Sequence, residues 1–474
     1  MNRPILRIFA FLVVLFALLL VWTTRWTVIE ASKLQNNPLN VRTLLDELKI
    51  KRGRILADNG EVLARSVRGP GGFWRRVYPT GPLFAQAVGY STAAAGDTAG
   101  LERYRGPELR GIQTGLSSIF GQLSSSSRVG DDVLTTLDPR AQRVAVSGLA
   151  GQVGSVVALD PRTGAVKVMY SNPSYNDNHP HATAPGLSNF NRATQAGYPP
   201  GSTFKVVTDA AALGSGRYTP GSVVNGDSPK IIAGVPLSND LNQSFGDIDL
   251  TTALTFSVNT VWAQVAEAVG RLRMTDYMRR FGFYSKPPLD YPSDEIAVSR
   301  PFSPSGKAYP PASPREDIGR IVIGQGGLSV TPLQMAMVAA AIANGGKLMT
   351  PHFTSRVVDS TGVTVETIKP SVYKQVTTPK IAAEITQMMR RVVEEGTGTP
   401  AQLGGISVAG KTGTASVGLP GQGLTQPWFI GFAPVPNPKV AVAVTVERTH
   451  GGFGGSVAAP IARAVIQSLL AEGH

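Results

Sequence analysis

Residues 8–22 are uninterrupted apolar sequence, rich in Leu, Val and Phe, and they constrain everything that follows. The run is near the short end for a membrane span, which needs roughly 17–25 residues. Arg3 and Arg7 precede it, Arg25 follows it, and Trp22 and Trp26 suit the headgroup level. Basic residues ahead of the run put the N-terminus in the cytoplasm and send the rest outward. No small-x-small site follows closely, so the run reads as an uncleaved signal anchor. The remaining chain is then expected to be an extracytoplasmic protein tethered at one end of the sequence.

The chain has 474 residues, which suits two or three domains, and 42 % hydrophobic content supplies a large core. Charged residues make up 16 %, too few for a disordered chain. A formal net charge of +13 favours anionic partners such as lipid headgroups or an acidic wall polymer. No zinc-finger spacing and no basic helix with interleaved aromatics points to nucleic acid. Cysteine is absent, which removes thiol catalysis, disulfides and cysteine-ligated metals together. His179-x-His181 sits in a Pro/Asn/Asp-rich loop with no third ligand at motif spacing, so no metal is expected.

Three regions are expected: 1–30, the cytoplasmic stub and anchor; 31–150, a small N-terminal α+β module; and 151–474, the main domain. In the module, 40–50 reads as a helix, 54–64 as two strands around Asp58-Asn59-Gly60, and 124–128 as a linker. In the main domain, 155–160 and 165–170 read as a hairpin. Helical patterns cover 202–213, 250–270, 331–343, 379–395 and 460–471, with strands at 429–433 and 440–447. The segment 285–315, rich in Pro and Ser, reads as a long surface loop. The fold class is α+β, with helices flanking a mostly antiparallel sheet.

Chemistry concentrates in Pro199-Pro200-Gly201-Ser202-Thr203-Phe204-Lys205. The prolines and glycine stop one element and a helix starts at Ser202, where free N–H groups can meet developing negative charge. Lys205 is one turn on and faces the same way. A lysine can take the serine's proton only if its pKa is lowered, which burial and a second nearby cation would do. Ser371-Val-Tyr-Lys374 repeats the pair in a strand-like stretch, where the two side chains point apart. Ser257-Val258-Asn259 lies within a helical pattern, and Lys411-Thr412-Gly413-Thr414 has strand character. The gaps are about 55 and about 150 residues, so each piece can sit on its own element around one cleft. Ser174-Tyr-Asn176 matches the middle piece but precedes the nucleophile.

The order Ser-x-x-Lys, Ser-x-Asn, Lys-Thr-Gly resembles the signature of β-lactamases and penicillin-binding proteins. Arg52-Gly53-Arg54-Ile55, Gly100-Leu101-Glu102, Gly324-Gln325-Gly326, Thr331-Pro332-Leu333-Gln334 and 428–434 extend the resemblance to class B penicillin-binding proteins, most like the actinobacterial penicillin-binding protein A group. The resemblance implies an α/β/α sandwich around a five-stranded antiparallel sheet, and a peptidoglycan D,D-transpeptidase that is acylated by β-lactams and uses no cofactor. Ser202 is the expected nucleophile and Lys205 its base. Ser257 would pass a proton to the leaving amine, Asn259 would hold a substrate amide, and Lys411 would add positive charge. Thr412 and Thr414 would bind the substrate carboxylate, and Gly413 would leave room for the substrate backbone. Expected partners are nascent peptidoglycan and its lipid-linked precursor, β-lactams, the membrane, a polytopic glycan polymerase and division proteins. The 31–150 module would be a pedestal, with Lys51, Arg52 and Arg54 free to meet headgroups or substrate phosphates. The rival readings are a D,D-carboxypeptidase or β-lactamase on the same chemistry, and a non-catalytic penicillin-binding sensor or scaffold.

Overall fold

The computed structural model describes residues 2–30, 45, 47–92, 97–112, 129–419 and 421–471. The apolar run forms the helix Asn2–Thr24, continued by one wider turn, Arg25–Ile29. The most apolar 18 residues of Arg3–Thr27 have mean hydropathy 2.8 and none of them is buried in the protein, so the helix is long and apolar enough for a single membrane pass.

Five antiparallel strands form the main sheet, in the order Ala409–Ser416, Leu424–Ala433, Val440–Val446, Gly154–Leu159, Val166–Asn172. A short strand, Thr449–His450, extends it beside Leu424 and Thr425. Side chains alternate between two cores, as the period of a strand requires. Val156, Ala158, Val442 and Val444 pack with the helices Pro139–Leu149 and Ala459–Leu470. Val157, Leu159, Ala441 and Ala443 face the opposite core with the helix Pro332–Ala343. That helix is buried from Pro332 to Ile342, which explains why it is apolar all round. Thr331 caps its start by accepting from the Gln334 N–H, and Gly345 and Gly346, both at positive φ, end it. Helix Pro379–Glu394 turns Met388, Met389, Val392 and Val393 inward, as its pattern predicts.

A second sheet runs Thr364–Thr367, Thr354–Val358, Asp132–Thr135, Ile55–Leu56, Val62–Arg68, Trp74–Val77. The hairpin around Asn59-Gly60 forms as read, with Ile55 opposite Ala64. The expected boundary at residue 150 is crossed, because two of the six strands come from residues 354–367. A hairpin far along the chain completes the N-terminal sheet, since backbone pairing depends on proximity and not on sequence distance.

Glu102 is fully buried beneath this sheet and holds two arginines, Arg52 Nη2 at 2.8 Å and Arg76 Nε at 2.5 Å. Burial alone would raise the Glu102 pKa; the charges and hydrogen bonds of Arg76 and Arg52 outweigh it and hold the carboxyl below its ordinary range. Arg54 pairs with Asp132 at 2.6 Å. Neither Arg52 nor Arg54 is the free docking charge expected from sequence; both are tied into the module.

Two further expectations are corrected. Segment 285–315 is not a surface loop throughout, since Leu289, Asp290, Tyr291 and Ile296 are buried and Asp290 accepts the N–H groups of Phe353 and Thr354. The 250–270 helix is broken at Ser257. Of the helix expected at 40–50, residues 40–44 and 46 lie outside the described residues, as does the linker at 124–128.

Removing Glu102 leaves two guanidinium groups without their shared carboxylate. Glu102→Ala is expected to cost about 3–5 kcal/mol, the usual penalty for breaking a buried ion pair from one side, read by urea unfolding. Because the folded pKa is depressed, the stabilisation is complete above the ordinary glutamate pKa and is lost as pH falls through the folded value. A cost below about 1 kcal/mol would mean that the cluster is not a structural tie.

Candidate active site

Pro199 and Pro200 end the preceding segment, a 3-10 turn spans Gly201–Phe204, and the α-helix Lys205–Gly214 follows. Ser202 stands half-buried in the turn, and Lys205 is completely buried. Neighbouring backbone holds the turn closely. The Gly201 N–H donates to Gly324 O at 3.0 Å, and Trp428 Nε1 donates to Pro199 O at 3.0 Å. A Cβ on Gly324 would lie 1.9 Å from Gly201 O, and one on Gly413 would lie 2.6 Å from Pro200 O. A side chain on Gly413 would collide with the serine turn packed on its strand, a constraint additional to the room for substrate expected from sequence.

Helix Leu250–Thr255 ends before Ser257, and helix Asn259–Val269 begins after it. Ser257 lies at φ 62°, a left-handed conformation that is unfavourable for serine, and is held there by the bonds Ser257 N–H to Leu254 O and Val258 N–H to Ala253 O. The break has a chemical consequence. In a continuous helix the Ser257 carbonyl would bond within the helix; here it accepts from Lys205 Nζ at 2.6 Å.

Both lysines converge on Ser257. Lys205 Nζ reaches Ser257 Oγ at 3.2 Å and Asn259 Oδ1 at 2.7 Å. Lys411 Nζ donates to Ser257 Oγ at 3.0 Å and to Thr412 O at 3.1 Å. Burial, then the neighbouring Lys411 charge, holds Lys205 well below the ordinary lysine pKa, against an opposing pull from Asp240. Burial also lowers Lys411, to about 7, with Asp240 again opposing. The second cation that the sequence required for a serine-activating lysine is therefore in place.

The structure brings Lys205, Ser257, Asn259 and Lys411 into one hydrogen-bonded cluster, with Ser202 one turn from Lys205 and Gly413 packed against the serine turn. Asn259 is engaged within the protein on both sides of its amide, since Nδ2 donates to Ser238 O at 3.2 Å. Thr412 Oγ1 lies 2.6 Å from Thr397 Oγ1, and Thr414 Oγ1 accepts from the Gly454 N–H at 3.1 Å. Sequence reasoning missed Asp240, Thr397 and Asn239, whose Oδ1 accepts the Thr260 N–H. The Gly396-Thr397-Gly398 turn after a long helix was the one available signal for Thr397; nothing local marks Asp240. The decoys fall away. Ser371 bonds Thr350 while Lys374 bonds Arg279 O, and Ser174 bonds Pro82 O. His181 pairs with Asp97, and among the described residues no three His, Cys, Asp or Glu side chains group as a metal would need.

The family model "Penicillin binding protein transpeptidase domain" matches residues 154–467, and "Penicillin binding protein A dimerisation domain" matches 52–133. The chain is 34 % identical to the peptidoglycan D,D-transpeptidase PbpA of Mycolicibacterium smegmatis, with all of both chains covered. It is 33 % identical to the protein of that name from Mycobacterium tuberculosis, with 99 % of each covered. The solved ceftriaxone acyl-enzyme of penicillin-binding protein A from Mycobacterium tuberculosis superimposes with a TM-score of 0.79 at 31 % identity, over 90 % of this chain and 100 % of that one. A D,D-transpeptidase domain from Eggerthella lenta gives 0.77 at 30 %, over 90 % and 99 %. On these matches, and with its serine turn and lysine pair in the family's order, the chain belongs to the penicillin-binding proteins, in their class B transpeptidase branch.

Proposed function

We propose that this protein is a membrane-anchored peptidoglycan D,D-transpeptidase that works through a Ser202 acyl-enzyme and is trapped at that stage by β-lactams. The observation that carries the reading is the pair of buried lysines meeting at the Ser257 hydroxyl beside the serine turn. Neutral Lys205 has two protons to donate, and Ser257 O and Asn259 Oδ1 accept at the shortest distances. Its lone pair is then free to take the Ser202 proton. Ser202 Oγ attacks the penultimate D-Ala carbonyl and forms a C–O bond. The C–N bond to the terminal D-Ala breaks, and the departing amine takes a proton from Ser257, which regains one from Lys205. An acceptor amine then attacks the ester, forms the cross-link and returns Ser202 to its starting state.

Ser257 suits the relay because its Oγ accepts from Lys411 Nζ and has Lys205 Nζ 3.2 Å away, which leaves its own proton free to point into the cleft. Lys411, Thr412 and Thr414 would receive the substrate's terminal carboxylate, and the N–H groups of Ser202 and Thr414 its oxyanion. The close approach of Gly201 to the Thr414 backbone supports that last pairing. Residues 31–150, with the hairpin 354–367, would form the pedestal, and the remainder of 151–474 the catalytic domain. The basic flank of the anchor supports a cytoplasmic N-terminus. A pedestal placed between membrane and cleft suits a polytopic glycan polymerase and division proteins as partners.

Ser202→Ala should abolish labelling by a fluorescent penicillin; label remaining in that variant, or mapping to Ser371, would overturn the assignment. Lys205→Arg keeps the charge but loses the base, so acylation should fall by about 10² to 10⁴. A loss below about threefold would make Lys205 structural. The pH profile tests the pair together. Acylation needs Lys205 neutral and Lys411 charged, so its rate should rise as pH passes the depressed Lys205 pKa and decline above about 7 as Lys411 loses its proton. Lys411→Arg, which stays charged, should remove the alkaline decline; a decline unchanged in that variant would assign it to another group. Release of D-Ala with and without an acceptor amine separates cross-linking from simple hydrolysis.

A further inference from the structure

The N-terminal sheet walls a cavity of about 420 Å³, to which neither lysine nor any other residue of the Ser202 cluster contributes. Its size lies in the usual range for small-molecule sites, roughly 300–1,000 Å³. Leu48, Ile50, Phe73 and Trp74 supply an apolar part of the lining. Arg52, Arg76 and Asp177 line it too, and their polar atoms are incompletely used. The Arg76 side chain is 4 % exposed, yet among the described residues its Nη2 has no hydrogen-bond partner. The same holds for Arg52 Nε and for both carboxyl oxygens of Asp177, a residue 3 % exposed. Buried polar groups in native proteins are nearly always satisfied, so a cluster of unsatisfied ones lining a cavity points to an occupant.

The charges say which kind. Arg52 and Arg76 share the single carboxylate of Glu102, and Arg110 is matched by Glu47. Arg75, exposed on the lining, has no ion-pair partner among the described residues, and Lys51 lies 5.6 Å over the Trp74 ring. Burial pushes Asp177 up to about 8, so near neutral pH it is mostly protonated and offers a hydrogen to a ligand without adding negative charge. The lining therefore carries excess positive charge and spare N–H donors beside aromatic and aliphatic surface.

We propose that this cavity is a second ligand site, separate from the Ser202 cleft, for an amphiphile with one anionic head, phosphate or carboxylate, on an apolar body. The head would take the spare guanidinium N–H groups of Arg52 and Arg76, and the body would lie against Phe73 and Trp74.

The full-length protein in zwitterionic nanodiscs, with empty nanodiscs as the blank, is titrated with hexyl phosphate, hexanoate, hexylammonium and inorganic phosphate. Saturable binding of hexyl phosphate or hexanoate is expected, at least about tenfold tighter than hexylammonium or inorganic phosphate; which of the two binds tighter identifies the head. Trp74→Ala and Arg75→Glu are each expected to weaken binding about tenfold or more, with the thermal unfolding of each variant checked. If Trp74→Ala fails to fold, Arg75→Glu alone decides. Equal binding of hexylammonium would overturn the anionic head, and equal binding of inorganic phosphate would overturn the apolar body. No saturable binding, or binding untouched in a folded Arg75→Glu variant, would overturn the site.

Discussion

Two lysine amino groups buried within reach of one serine hydroxyl form the arrangement on which the rest of the active site depends. Burial penalises the charge on each, and the Lys411 charge adds to that penalty on Lys205, so both lysines are pushed toward the neutral form. Keeping the two amines in place requires fixed acceptors. The Ser257 carbonyl and the Asn259 side chain supply them at the break between two helices, and the Thr412 carbonyl supplies one from within the strand Ala409–Ser416. The left-handed Ser257 sits at that break. Its backbone strain, of order 1–3 kcal/mol for such conformations, is offset by a carbonyl and a hydroxyl delivered to the same two lysines.

The serine turn depends on equally close packing. It is pressed between the outermost strand of the main sheet, at Gly413, and the Gly324 backbone, with no space for a side chain at either place. Deep burial of the sheet fixes that strand. Ala409–Ser416 and Leu424–Ala433 are both buried along most of their length, so the register that sets Lys411 opposite Ile430 cannot slip without exposing core residues. The position of Ser202 is thus tied to the packing of the whole domain.

Away from the cleft, the N-terminal module is joined to the catalytic region by shared construction as well as by the chain itself. The hairpin 354–367 pairs with Asp132–Thr135, and Asp290 binds the backbone where that hairpin begins. Arg105 reaches both Thr354 and Glu366. Contacts spread over so many separate elements favour a stiff connection over a hinge.

Much of this was legible in the sequence. The anchor follows from an unbroken apolar run, and the caps at Thr331 and at Gly345-Gly346 follow from local chemistry. The hairpin at Asn59-Gly60, the inward face of Pro379–Glu394 and the cleft residues, from Ser202 to Lys411, follow from pattern and order. Local pattern ran out wherever distant segments meet. The 250–270 stretch has helical periodicity on both sides of Ser257, and only the demand of Lys205 for a carbonyl explains the break. Arg52 and Arg54 read as free surface charge because Glu102 and Asp132 are about 50 and 78 residues away. Asp240 carries no signature, since its influence on the lysines is purely spatial. Sequence alone determined the family's motif residues, their order and the apolar anchor run, because residue type and short-range periodicity encode them. Tertiary structure alone decided the lysines' lowered pKa values, the packing constraint on Gly413, and the crossing of the residue-150 boundary, because burial, close backbone approach and strand pairing arise only when distant segments pack together.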